Sequence, residues 1–215
     1  MLILRGLLAS SSGKCMSHFE DFKQYLPKYL SPEALANLFD DLKEFPENLK
    51  RLYTGVLASE SDVFQGDGLK EVLIVNLPDT TVRKGPAIVI SNTCDTSFSN
   101  TRLLSPKIAY CPLVKLSNYI AQLRRNSIPE ERIDTYVKDI RKQWITNIFF
   151  LPKGGSLPED SVALLDNINS CDVGYLSPES VTSLRLFSLS NYGFYVFLFK
   201  LAVHLTRIRE SVDRG

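Results

Sequence analysis

Histidine is nearly missing from this chain: His18 and His204 are the only two in 215 residues. The four cysteines, Cys15, Cys94, Cys111 and Cys171, stand far apart, with no CxxC and no Cys/His ligand spacing. That pattern argues against structural zinc, and neither a metal nor a cofactor is expected. A charge of one sign is lacking as well. Lys and Arg number 25 and Asp and Glu 24, a net charge of +1, which provides no global field to hold a polyanion. Nucleic-acid binding would need a local patch, with Arg124-Arg125 and Arg141-Lys142 as candidates and a solvated helix face as the simpler reading of both. Long hydrophobic runs are also absent. The longest, near residues 193–203, is interrupted by Lys200 and is too short to span a bilayer, so no membrane partner is expected. The opening MLILRGLLASSSGKC has one early positive charge and a lysine before Cys15, and residues 1–16 read as a loose tail. A soluble, cytoplasmic setting with free thiols is expected.

What is present is enough for one sizeable core: 44% of the residues are hydrophobic. Residues 17–64 read as a helical extension. Ser17-His18-Phe19-Glu20 has the form of a capping box, and Ser31-Pro32-Glu33 opens a second helix with proline at its first position. Helix is expected over 17–53. Beyond Gln65-Gly66-Asp67-Gly68 the texture becomes β-branched, and strands are expected near 71–77, 86–91, 107–114, 147–151 and 161–166. A helical insertion at 117–146 interrupts them. There Ser127-Ile128-Pro129-Glu130 reads as the cap of a helix over 128–143, whose buried face is Ile133, Tyr136, Val137 and Ile140. The chain ends in a helix over 191–210, with Phe194, Leu198, Leu201, Leu205 and Ile208 as its apolar stripe and Tyr195, Phe199 and Ala202 widening it. An α+β fold with a small barrel or sandwich follows.

The stretch KGPAIVISNTCD, Lys84 to Asp95, runs from a glycine-proline entry and four apolar residues into small polar groups denser than a mere turn requires. PAIVIS is a buried strand and NTCDTSFSNT the loop at its mouth. Two readings of that mouth are open. In one, Ser91, Asn92, Cys94 and Asp95 line a pocket with Lys84 on its rim. In the other it is a turn, in which Asp95 caps backbone amides and Cys94 packs inward. A carboxylate next to Cys94 disfavours a thiolate there. His18 falls in a capping turn and His204 on the apolar terminal helix, where a packed imidazole is the simpler reading. Trp144 follows Arg141 and Lys142 and reads either as core or as a base-stacking platform.

Three segments in order resemble the PemK/MazF family of toxins: Leu73 to Leu77, GPAIVISN followed by AYCPLV, and LPEDSVALLDNINSCDVGYL. The resemblance implies an SH3-like barrel over 65–215 and descent from metal-independent ribonucleases that use the neighbouring 2′-hydroxyl as nucleophile. It also implies an arginine at Gly85, a threonine at Val114 and an arginine at Asn169, and this chain carries none of the three. The family's usual ribonuclease chemistry is therefore not expected. The leading expectation is a non-cleaving RNA- or protein-binding module of a bacterial or phage toxin–antitoxin or defence setting. RNA or a protein such as an antitoxin would be its partner, and a homodimer stays open. One alternative is an active endoribonuclease with relocated residues, Lys84 or Arg83 stabilising the phosphorane and Asp95 acting as base. Another is a structural subunit docked on a larger assembly. The binding candidates are Arg83, Lys84, Ser91, Asn92, Cys94, Asp95 and Asn169.

Overall fold

The computed structural model describes residues 48–99 and 103–206, together with Glu33, Asn37, Asp40 and Phe45. The chain divides into two compact units, Met1–Glu44 and Phe45–Gly215. In the first, Glu33, Asn37 and Asp40 are helical. The rest of the helical reading of 17–53 lies outside the described residues as far as 47. Past that point Leu49–Arg51 form a 3₁₀ turn and Tyr53–Thr54 a short strand, so the helical reading does not extend to residue 53.

The second unit is α+β, built on an antiparallel sheet of eight strands: β1 Tyr53–Thr54, β2 Gly68–Asn76, β3 Asp79–Val89, β4 Lys107–Lys115, β5 Ile148–Leu151, β6 Ser161–Leu164, β7 Asn169–Asp172 and β8 Arg185–Leu189. Their order is β1-β8-β2-β3-β4-β6-β5, with β7 also on β4. This ladder is open, so the closed barrel expected from the strand pattern is not formed by backbone pairing among the described residues. Among the described residues five α-helices accompany the sheet: α1 Thr93–Thr96, α2 Leu116–Arg125, α3 Glu130–Arg141, α4 Pro178–Leu184 and α5 Asn191–Thr206.

The longest pairing is the β2–β3 hairpin, turned at Leu77–Pro78, which carries a cis peptide bond. Its base is buried and its outer half is not: Asp79 to Lys84 are all exposed, whereas Ala87, Ile88 and Val89 are covered. β4 then serves two partners along one edge. Lys107–Tyr110 pair with β7 and Leu113–Lys115 with β6, leaving Cys111 and Pro112 between them on that edge. A proline inside a central strand is tolerated at such a gap, because no ladder bond is asked of its nitrogen. Val63, Leu69, Val72, Ala87, Val89, Ile108, Tyr110, Leu176 and Val181 form one core.

The insertion contains two helices where one was expected. α3 keeps the expected face, with Ile133 and Ile140 buried and Tyr136 and Val137 half-buried. Its start differs. Ser127 takes a left-handed φ of 58° and Pro129 stands at the cap, so Glu130 and Glu131 enter the first turn, where the helix dipole favours carboxylates. α2 and α3 cover a second core of Leu116, Ile140, Ile148, Phe150 and Val162. α5 buries Tyr195 and Leu201 of the expected stripe, but its covered face is rotated from the rest: Gly193, Val196, Phe197 and Lys200 are covered as well, whereas Leu205 is 62% exposed. Gly193 fixes that rotation, since a Cβ there would lie 2.1 Å from the Leu52 carbonyl oxygen. Only glycine allows so close an approach.

Candidate functional site

At the mouth of β3 the small polar groups are spent on the chain itself. Ser91 Oγ accepts from the Ala109 amide at 2.7 Å, and the Ile90 amide donates to the Ala109 carbonyl at 2.9 Å, which ties the strand end to β4. Asn92 then caps α1, its Oδ1 accepting from the Cys94 amide at 2.8 Å. Asparagine is among the preferred residues for that position because its carbonyl reaches an amide left free at a helix start. Thr93 accepts from the Gln65 amide at 3.1 Å, and buried Thr96 donates to the Val63 carbonyl at 2.7 Å. The stretch is thus a capped turn stitched to the loop before β2. Asn92 supplies the cap at the start of α1, and one detail of the turn reading changes: Cys94 is exposed where an inward-packed thiol was expected.

Lys84 is not on the rim of that turn. It pairs with Leu73 in the outer half of the hairpin, and Arg83 pairs with Ile74. The chain from Lys84 to Ser91 is extended along β3 and covers about 20 Å at the rise of a strand. Arg83 is held at 3.2 Å by Asp79, both exposed, and the Thr81 side chain and amide together with Arg83 keep the Asp79 carboxyl below its ordinary value. The candidates therefore form two separate groups, Arg83 and Lys84 toward the hairpin tip and Ser91, Asn92, Cys94 and Asp95 at the opposite end of β3.

Asn169 belongs to a third place. Its Oδ1 accepts from the Val75 amide at 2.8 Å and its Nδ2 donates to Asn167 Oδ1 at 3.0 Å, while Asn167 Nδ2 donates to Asn76 Oδ1 at 2.7 Å. The Tyr110 hydroxyl adds a bond to the Leu73 carbonyl. Asn169 and the adjoining Asn167 thus tie the β7 end to β2 where the backbone ladder does not, and Tyr110 ties β4 to β2. The positions at which the resemblance implies catalytic groups are filled by packing. A Cβ at Gly85 would lie 2.8 Å from Ile74 Cδ1, and Val114 packs half-buried against the α2/α3 core.

Two buried polar arrangements carry no local signal in the sequence. Asp67 and Arg185 form an ion pair at 3.1 Å, with side chains 1% and 4% exposed. Arg185 also donates to the carbonyls of Leu57, Glu60 and Asp62, and Ser188 donates to Asp67 at 2.6 Å. Burial raises the Asp67 carboxyl, opposed by those bonds. The second arrangement joins Gln143 and Lys200. Gln143 Nε2 donates to the Phe150 carbonyl at 2.6 Å and its Oε1 accepts from the Phe150 amide at 2.9 Å, so this side chain occupies the place of a further strand beside β5. Lys200, 3% exposed, donates to the Gln143 carbonyl, and burial brings its ammonium down to about 7.

The basic helix clusters carry acidic partners. Arg124 binds Glu130 at 2.8 Å and Arg141 binds Asp160 at 2.6 Å. Trp144 is half-buried with Lys142 over its ring at 4.8 Å, and His204 is half-buried on α5. Burial, with Asp166 nearby, pushes the Cys111 thiol up to about 12, which makes it an inert core group. Among the described residues no group of three or more His, Cys, Asp or Glu side chains is placed to hold a metal ion, and no helix is long and apolar enough to cross a membrane. No family model and no curated protein matches this chain.

Proposed function

We propose that this chain is a non-cleaving binding module on a PemK/MazF-like, SH3-like barrel, cytoplasmic, of a bacterial or phage toxin–antitoxin or defence setting, and that its partner is a protein. The observation that carries the reading is the use of Gly85, Val114 and Asn169. The β3–β4 ladder ends at Ala87 opposite Pro112, two residues short of Gly85 on one strand and of Val114 on the other. These are the two positions at which the resemblance implies reacting groups, and neither residue can donate or accept a proton through its side chain. Asn169, the third position, has both ends of its amide engaged in bridging β7 to β2. That bridge also supports the barrel reading, since it joins the sheet across the gap in its ladder.

A protein is favoured over RNA because the basic groups that would hold phosphates are paired with acids. Arg83 is bound to Asp79, Lys115 to Glu159, Arg124 to Glu130 and Arg141 to Asp160. Phosphate contacts dominate nucleic-acid affinity, and each of these cations would have to leave a carboxylate to make one. The relocated-nuclease alternative loses support from the distance along β3 between Lys84 and Asp95. The test is incubation of mixed RNA with the protein in EDTA, with single-stranded RNA binding followed by fluorescence anisotropy. No cleavage and no salt-dependent binding are expected. Metal-independent cleavage abolished in Lys84→Ala or Asp95→Ala would overturn the non-cleaving reading, and tight RNA binding without cleavage would overturn the choice of a protein partner.

A further inference from the structure

β3 pairs with β4 only from Ala87 to Val89. From Asp79 to Gly85 its second edge carries no strand among the described residues, and the six residues Asp79 to Lys84 are exposed. Pro78 and Pro86, which lack an amide hydrogen, bracket this open edge. The Thr81 amide within it donates to Asp79 Oδ1 at 2.9 Å. An exposed strand edge pairs readily with another strand, and charged side chains are a common guard against indiscriminate pairing. Here the charges also select one occupant.

We propose that the outer half of β3 is a self-association edge, on which a second copy of this chain adds its own β3 in antiparallel register with Thr81 opposite Thr81. The argument is one of symmetry and charge. A twofold axis normal to the sheet must exchange the two strands. Because hydrogen-bonded and non-hydrogen-bonded pairs alternate along an antiparallel ladder, the axis can pass only through a residue that faces its own copy. Four such centres fit the open edge. Centred on Thr80, Asp79 faces Thr81 and no opposite charges meet. Centred on Val82, Arg83 faces Thr81, Lys84 faces Thr80 and Asp79 faces Gly85, again with no opposite charges. Centred on Arg83, two guanidinium groups face each other. Centred on Thr81, Asp79 faces Arg83 of the second copy and Arg83 faces Asp79 of the second copy, so the pair is satisfied twice.

Asp79 and Arg83 already meet within one chain at 3.2 Å, which places both on one face of the strand. Pairing in this register turns two isolated, exposed ion pairs into one alternating set of four charges. It also sets Thr80 against Val82 of the second copy; Val82 is 55% exposed in the single chain, and a threonine beside a β-branched residue is a favourable cross-strand pair. The same charges that repel an unrelated basic strand thus admit this one. The edge carries Arg83 and Lys84, the cations weighed for the relocated-nuclease alternative, but the argument uses only strand geometry and charge pairing, so the inference stands or falls independently of the proposed function.

The experiment is sedimentation equilibrium of the full chain across micromolar to submillimolar concentration at low salt, with folding checked by circular dichroism. A concentration-dependent monomer–dimer equilibrium is expected. Arg83→Asp places aspartate opposite aspartate at both symmetric positions and should raise the dimer Kd by about tenfold or more. The double variant Asp79→Arg with Arg83→Asp exchanges the charges, keeps the pairing within one chain and between copies, and should restore the Kd to within about threefold of the wild type. A wild-type protein that stays monomeric throughout would overturn the proposal. So would an Arg83→Asp protein that dimerises like the wild type, or a folded double variant that does not recover.

Discussion

β5 and the outer half of β3 each have an edge with no further strand beside it among the described residues, and the chain treats these edges in opposite ways. β5 is buried along its whole length, and its open side is answered by the amide of Gln143, itself held by Lys200 from α5. The β3 edge is exposed and answered by charge and proline. The difference follows from what lies around each edge. In an apolar surrounding an unpaired N–H or C=O must find a partner, whereas at the surface water supplies one. A single polar side chain can therefore be decisive at β5, while six residues of β3 can remain open.

The largest break in this contrast is expected from Ile133→Asp, because Ile133 is 1% exposed on α3, the helix beside β5. Burying an unpaired carboxylate there should cost on the order of 4 kcal/mol or more, read as loss of the cooperative transition or a large fall in denaturation midpoint. Full retention of stability would remove α3 from the account of the covered edge. Gln143→Ala is expected next. It leaves the Phe150 amide and carbonyl without their partners, at about 1–3 kcal/mol for each buried group, measured in a urea titration. A cost below about 0.5 kcal/mol would mean that β5 does not depend on its side-chain partner.

Lys200→Met sharpens the same side through pH. Burial lowers the Lys200 ammonium to about 7 in the folded chain, against about 10.4 in an unfolded one. Between those values the unfolded state binds a proton that the folded state lacks, so this group makes stability rise as pH increases from about 7 to about 10. Below about pH 7 the folded chain holds a buried ammonium and the full penalty is present. Lys200→Met should be more stable than the wild type at pH 6 by about 1–4 kcal/mol, with the gain shrinking at pH 9. An equal effect at both values would show that the ammonium is not penalised. The smallest effect belongs to the open edge: Lys84→Ala should change stability by no more than about 0.5 kcal/mol. A cost several times larger in thermal denaturation would show that the outer hairpin is packed against something.

The elements that could be read from the sequence are those whose signal is local. The strand around Val72 to Val75, the strand over Ala87 to Val89 and the α3 face of Ile133 and Ile140 all follow from periodicity and β-branching. α4 carries Ser177-Pro178-Glu179, the same opening signal as Ser31-Pro32-Glu33, yet lies between the last expected strand and the terminal helix, where no element is expected. β8, Arg185 to Leu189, is five residues between two helices, too short for periodicity to distinguish. The α5 stripe was rotated because Lys200 reads as a surface residue, while its place in the core depends on the Gln143 carbonyl. At the candidate site, a capped turn was legible in Asn92-Thr93-Cys94-Asp95, but the separation of Lys84 from it was not. That separation depends on how far β3 extends toward the hairpin tip.

By itself the sequence determined the α+β class, the strand-rich body with its helical insertion and the lack of ligand spacing for a structural zinc, because composition, periodicity and residue identity are properties of the chain alone. Only the tertiary structure decided which polar groups are buried and what they serve: Asp67 against Arg185, Gln143 along β5, Asn169 across β7 and β2. Each partner lies far away in sequence or across an edge whose exposure no local pattern encodes. The cost of leaving such a group unpaired arises only once folding has removed the water around it.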